Sequence, residues 1–275
     1  VRTVQWYAEA IDKIYDVAAE DYRKKASTLT YRHQAFINGR FTDAASGETF
    51  DNYSPIDGQV LTAIAACDKE DVDRAVKAAR AIFEKGTWSE MAPRERKTVM
   101  LKFAALIADN ADELALLETL DMGKPITFSR QGDMEGVVRT VQWYAEAIDK
   151  IYDELAPMGT GAVGMITREP LGVVGAVVPW NFPLLMAAWK FAPALAAGNS
   201  VIMKPAEQSP LTCLRVAELA SEAGIPDGVF QVLPGFGETA GQAQARPWAR
   251  PIRTPPVRCI SSGVVASAIN SRPTT

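Results

Sequence analysis

Three short segments carry residues able to do chemistry: PWNFP at 179–183, KPAE at 204–207 and PGFGETAG at 234–241. Asn181 brings an amide that can donate to a developing oxyanion. Lys204 can hydrogen-bond a ribose or a phosphate. Glu207 can accept from a ribose 2′-OH while repelling a 2′-phosphate. Gly235, Gly237 and Gly241 can let backbone N–H groups face a nucleotide, although their spacing is not that of GxGxxG. Each has an ordinary reading too: a turn asparagine, a solvated Lys/Glu pair and a glycine-rich turn.

Other candidates stand in the wrong surroundings. Gly159, Gly161 and Gly164 spell GxGxxG, but a long helical pattern precedes them and the β-like MITREP follows, whereas a dinucleotide loop needs a strand before and a helix after. They read as a turn between extended strands. The single histidine, His33, is the only base on which a Ser/His/Asp arrangement could be built. The three cysteines, Cys67, Cys213 and Cys259, are too dispersed for a zinc site or a disulfide framework, and no metal site is expected.

The crevice that would gather these groups follows from periodicity. LGVVGAVV at 171–178 reads as a strand buried on both faces. A helix after Pro183 runs to Ala197, kinked or interrupted near Pro193, and SVIMK at 200–204 is a second strand. Ser209 as N-cap, Pro210 at the first helical position and Gly224 as stop frame the next helix, before VFQVL at 229–233. This βαβαβ unit places PWN, KPAE and PGFG at the carboxyl ends of its strands, where such sheets bind ligands.

The segment before it reads as helical. After an extended FINGRF at 36–41 and a turn-rich stretch to Gly58, helices start near Asp68 and after Pro93. A third carries Leu114, Leu117 and Leu120, and the longest spans about 129–153 with Ile148, Ile151 and Tyr152 inward. The third strand of the unit is expected to present an unpaired apolar edge, and hence aggregation.

The 275 residues, 48% hydrophobic and 23% charged, exclude disorder and collagen-like structure. No apolar run reaches the roughly 18 residues of a membrane span and no cleavable leader opens the chain, so a cytoplasmic protein is expected. Residues 242–275 hold five Arg and neither Lys nor acid, against a net charge of −9 for the rest. With four prolines between Arg246 and Pro256, this tail is compositionally distinct. It lacks the lysines and aromatic array of a nucleic-acid binder, and none is expected to bind. Residues 1–16 recur without mismatch as 138–153, one copy without drift, unlike a structural repeat. The N-terminal copy should be helical but has no place reserved in the core.

PWNFP, KPAE and PGFG, together with FINGRF, ETLDMGKP at 118–125 and REPLGVVGAVVPWNFP at 168–183, resemble the NAD(P)-dependent aldehyde dehydrogenase superfamily over about 17–243. WYAEAIDKIYDE at 143–154 is most similar to the γ-glutamyl-γ-aminobutyraldehyde dehydrogenases. The resemblance implies an α/β fold, a variant Rossmann-like parallel sheet without GxGxxG. It divides the chain into a duplicated helix segment (1–16), the N-terminal part of the cofactor domain (17–153), an oligomerisation arm (154–170), the dinucleotide-binding core (171–243) and a non-family tail (244–275). It implies NAD rather than NADP, an aldehyde substrate and a homo-oligomer. Its cofactor residues map onto Val178, Pro179, Trp180, Lys204, Ala206, Glu207 and Gly235, and its oxyanion amide onto Asn181. Trp180 could equally serve packing alone. In the family a cysteine thiolate attacks the aldehyde, hydride passes to the nicotinamide and a glutamate activates the hydrolytic water. Their GQxC-, ELGGK- and FTGS-type motifs do not occur in this sequence. A chain without turnover is therefore expected, the alternative being a nucleotide-binding remnant.

Overall fold

The computed structural model describes residue 22, residues 24–245 and the backbone of 259–261. The duplicated segment 1–16 and most of the tail lie outside the described residues. Strands β1 (Ala35–Ile37) and β2 (Arg40–Thr42) make FINGRF a hairpin rather than one extended run. Its turn is Asn38-Gly39, both at positive φ (51° and 77°), which matches the twist of the flanking strands. A Cβ on Gly39 would lie 1.9 Å from Asp227 Oδ1, so a larger residue would displace that side chain as well as adopt a positive φ.

The turn-rich stretch hides a second hairpin, β3 (Thr49–Tyr53) with β4 (Val60–Ala65). Helix α1 (Lys69–Glu84) begins as expected, with Asp68 capping in a reciprocal box with Asp71. Helices α2 (Pro93–Asp109) and α3 (Ala111–Met122) follow, and Gly123 ends α3 in the left-handed conformation. The expected long helix is broken up. A π-helical stretch, Ser129–Met134, leads into α4 (Glu135–Ala147), and the chain then turns away. Ile151 and Tyr152, expected inside, are exposed. The backbone is drawn out at this point by Arg168, whose guanidinium bonds the Tyr152 carbonyl and whose N–H donates to Asp153 (3.0 Å). Strands β5 (Glu154–Ala156) and β6 (Ala162–Ile166) pair antiparallel, and β10 (Cys259–Ser261) adds to the other side of β6.

The βαβαβ unit is present: β7 (Val173–Val177), α5 (Pro183–Ala196), β8 (Ser200–Lys204), α6 (Leu211–Ala223) and β9 (Phe230–Val232), with β7–β8 and β8–β9 parallel. Helix α5 runs through Pro193 without interruption. Alternate residues of β8 face two cores. Val201 and Met203 pack with α2, α4, α5 and α6, whereas Ile202 packs against α1. Rings of Phe103, Phe191 and Phe230 tie α2 through α5 to β9 at centroid separations of 5.7 and 5.1 Å.

Two expectations about the sheet change. Its order is β2-β1-β9-β8-β7, so β9 does not present an open edge. β1 covers it antiparallel through Phe36 opposite Val232, and buried Gln231 clamps the joint by accepting from Asn38 N–H (3.1 Å) and donating to Ala75 O (2.8 Å). The edges are β2 and, on the side of the parallel strands, β7, and the run expected to be buried on both faces leaves Val177 55% exposed. The start of α6 also differs. Pro210 occupies the cap position, Ser209 does not cap, and Asp121 from α3 accepts from Leu211 N–H (2.9 Å). The other Asp121 oxygen accepts from Asn52 Nδ2 (2.8 Å), so one buried carboxylate joins β3, α3 and α6. Burial pushes this carboxyl up to about 7, against the opposing effect of Leu211 N–H and Asn52. Among the described residues no helix is long and apolar enough to cross a membrane.

Two outcomes follow from this packing. Asp121→Ala strands the Leu211 N–H and the Asn52 amide and should cost about 2–3 kcal/mol in urea denaturation, with Asp121→Asn costing less. Equal losses for the two variants would contradict the capping role. Val177→Lys should lower concentration-dependent light scattering by placing a charge on the open edge. Unchanged scattering would mean that this edge does not drive association.

Candidate functional site

The parallel strands β7, β8 and β9 end at one crevice, and the three sequence segments leave from it. From β7 the chain passes Val178, whose N–H donates to Lys204 O (3.1 Å), and then Pro179, Trp180 and Asn181, all three exposed. Ser209 Oγ, freed from capping, donates instead to the Trp180 carbonyl (3.2 Å). Among the described residues no hydrogen bond holds the Asn181 amide, which stands at the mouth just before α5.

Strand β8 is buried along its whole length, including its last residue, Lys204, at 2% exposure. A buried ammonium needs acceptors. Lys204 Nζ donates to the Pro205 carbonyl (3.0 Å) and to Glu207 Oε2 (3.2 Å). Partial burial would raise Glu207, but a backbone hydrogen bond and the Lys204 ammonium outweigh it and hold the carboxyl below the usual range. Glu207 is therefore an anion at neutral pH, with its acceptor capacity only partly used by Lys204 and by Gln208 Nε2 (3.2 Å). Ala206 is buried beneath it.

After β9 the backbone passes close to the start of α1. Cys67 N–H donates to Pro234 O (3.0 Å), and a Cβ on Gly235, at φ 155°, would come within 2.6 Å of Cys67 O. Only glycine allows that approach. The glycine-rich segment leads into helix. It forms the π-helical turn Gly237–Gly241 and a single turn, Gln242–Ala245.

Trp180 and Glu207 line one cavity of about 890 Å³, together with Phe236 and, from the β3–β4 hairpin, Phe50, Tyr53 and Ile56. Val178, Lys204, Ala206 and Gly235 are buried and Pro179 and Asn181 are exposed, and none of these six lines the cavity. The hairpin's share is absent from the sequence reading. Its signal was the spacing of Phe50, Tyr53 and Ile56 within a stretch read only as turns.

The side chains of the remaining candidates supply no chemistry to the crevice. Cys67 and Cys213 are buried, and burial pushes both thiols far above their ordinary value. Asp71 adds to this at Cys67, as do Glu118 and Asp121 at Cys213. Neither supplies a thiolate. His33 is exposed, its ring nitrogen 3.4 Å from the Tyr31 carbonyl. Gly159 and Gly161 sit in the connection between β5 and β6 and Gly164 lies within β6, a hairpin and not a phosphate loop.

Residues 41–247 match the aldehyde dehydrogenase family. The chain is 53% identical over 225 residues to the NADP/NAD-dependent aldehyde dehydrogenase PuuC of Escherichia coli K12, covering 82% of this chain and 46% of that protein. The P. syringae indole-3-acetaldehyde dehydrogenase AldA, solved as a mutant in complex with NAD+ and IAA, superposes with a TM-score of 0.81 at 56% identity, over 82% of this chain and 46% of that one. The γ-glutamyl-γ-aminobutyraldehyde dehydrogenase of Burkholderia cenocepacia J2315 superposes with a TM-score of 0.79 at 57% identity, over 80% and 44%. The chain thus spans about half the length of the curated relatives it matches. On the match over 41–247 and these identities, the chain belongs to the aldehyde dehydrogenase family.

Proposed function

We propose that these residues form the nucleotide-binding half of an NAD-dependent enzyme that oxidises an aldehyde to a carboxylic acid. The observation that carries this reading is the ionised Glu207 at the end of the most buried strand, fixed by Lys204 and facing a cavity of a size that suits a small-molecule ligand. A carboxylate so placed accepts from ribose hydroxyls and repels a 2′-phosphate, which favours NAD over NADP. Trp180 supplies an aromatic wall to that cavity; Val178, Pro179, Ala206 and Gly235 do not line it and are read as cofactor residues on the family resemblance, with the close backbone approach at Gly235 in support. NAD, when bound, is the hydride acceptor.

Asn181 is read as the oxyanion donor. Its amide is not engaged within the protein and stands at the crevice mouth, ready to hydrogen-bond a carbonyl oxygen as negative charge grows on it. Cys67 and Cys213 are not the nucleophile, since burial keeps both as thiols. We read these residues on their own as a binding unit without turnover. The β5–β6 hairpin exposes Leu155, Val163, Met165 and Ile166, an apolar surface that supports its reading as an oligomerisation arm.

Isothermal titration tests the nucleotide reading. NAD should bind, NADP should bind about tenfold or more weakly, and Glu207→Gln should weaken NAD by about tenfold while narrowing the gap to NADP. Equal affinity of the wild type for the two dinucleotides would overturn the role given to Glu207. Formation of NADH on adding aldehyde would overturn the expected lack of turnover.

A further inference from the structure

The turn that presents Asn181 is held at three points. Val178 N–H bonds Lys204 O (3.1 Å), Ser209 Oγ bonds the Trp180 carbonyl (3.2 Å), and Lys124 Nζ lies 4.0 Å from the centroid of the Phe182 ring. Asn181 falls between the second anchor and the third. Its own side chain is unrestrained, so its direction depends on the backbone that these neighbours fix.

The third anchor is built with care. A lysine has a flexible stem and a strongly hydrated head, and left alone it would swing toward water. Lys124 is prevented from doing so by two buried carboxyl groups, Asp133, which it bonds directly, and Glu118, whose Oε1 lies 3.5 Å away. Asp133 lies in the π-helical stretch Ser129–Met134, an irregularity of a kind often found beside functional sites. Burial and the neighbouring Asp133 push Glu118 up, against the opposing pull of the Lys124 ammonium. Phe182 is the residue that starts α5, its carbonyl accepting from Met186 N–H (2.9 Å), so fixing its ring fixes the backbone on the C-terminal side of Asn181.

We propose that Lys124 is a positioning residue for Asn181: clamped by Asp133 and Glu118, its ammonium holds the Phe182 ring and so fixes the turn that aims the Asn181 amide. This rests on the reading of Asn181 as oxyanion donor given above. No part of the clamp touches the reacting atoms. Its effect is on the direction in which the amide points.

The experiment is backbone ¹⁵N relaxation on the full chain, reading order parameters at Asn181 and Phe182 in the wild type, Phe182→Leu, Lys124→Met and Lys124→Arg. Phe182→Leu keeps the Lys124–Asp133–Glu118 cluster and removes only the aromatic face, so the test survives if Lys124→Met fails to fold. In the wild type both amides should approach the rigid value of about 0.85, and in Phe182→Leu they should fall to about 0.6 or below while β8 stays unchanged. Lys124→Met should reproduce that local loss and Lys124→Arg should restore rigidity. A Phe182→Leu variant as rigid at Asn181 as the wild type, or a wild type already mobile there, would overturn the proposal. Titration of the same wild-type sample with NAD judges the nucleotide reading separately. Absence of binding alongside the predicted order parameters would remove that reading and leave the clamp standing.

Discussion

A lysine ammonium at the end of the most buried strand sets the geometry of the crevice. Lys204 closes β8 at 2% exposure, and its charge can be tolerated there only because the chain reverses at once to bring the Pro205 carbonyl and the Glu207 carboxylate to it. That reversal is the KPAE turn. It leaves Glu207 ionised and facing the cavity, and its neighbour Ser209 is freed to hold Trp180. Lys204 O in turn receives Val178 N–H, so the segment leaving β7 is registered against the same residue.

The parallel strands are covered on one side only. Beyond β9 the β1–β2 hairpin completes the layer, fastened by Gln231, whereas β7 stands at the edge with Val177 and Leu171 exposed. The open edge therefore adjoins the strand end that carries Asn181. The buried carboxylate of Asp121 does for α6 what a cap residue of its own would do, and in the process it links the β3–β4 hairpin to the wall of the cavity.

Much of this was legible in the sequence because it is local. SVIMK, the helix ended by Gly224 and the three strand-end segments follow from periodicity and punctuation, and context alone rules out the GxGxxG at Gly159–Gly164. What escaped was non-local. The partner of β9 comes from the opposite end of the described residues, and no pattern within VFQVL announces it. The helix expected to reach residue 153 ends at Ala147, and beyond it Arg168, from past β6, bonds the backbone at Tyr152. Ser209 looked like a cap, but a buried carboxylate from α3 competed for the same amide. The β3–β4 hairpin was missed because its apolar residues are divided between core and cavity, with Phe50 against the core and Tyr53 and Ile56 at the cavity, which blurs the alternation that marks a strand.

The central claim is that the crevice at the ends of β7, β8 and β9 receives the nucleotide through Glu207. Determining the structure of the chain with NAD tests this most directly. The account predicts ribose hydroxyls within hydrogen-bond distance of the Glu207 carboxylate, with the adjoining part of the nucleotide against Trp180. Nucleotide seated at the Gly159–Gly164 hairpin, or a crevice that stays empty while NAD is bound elsewhere, would contradict it.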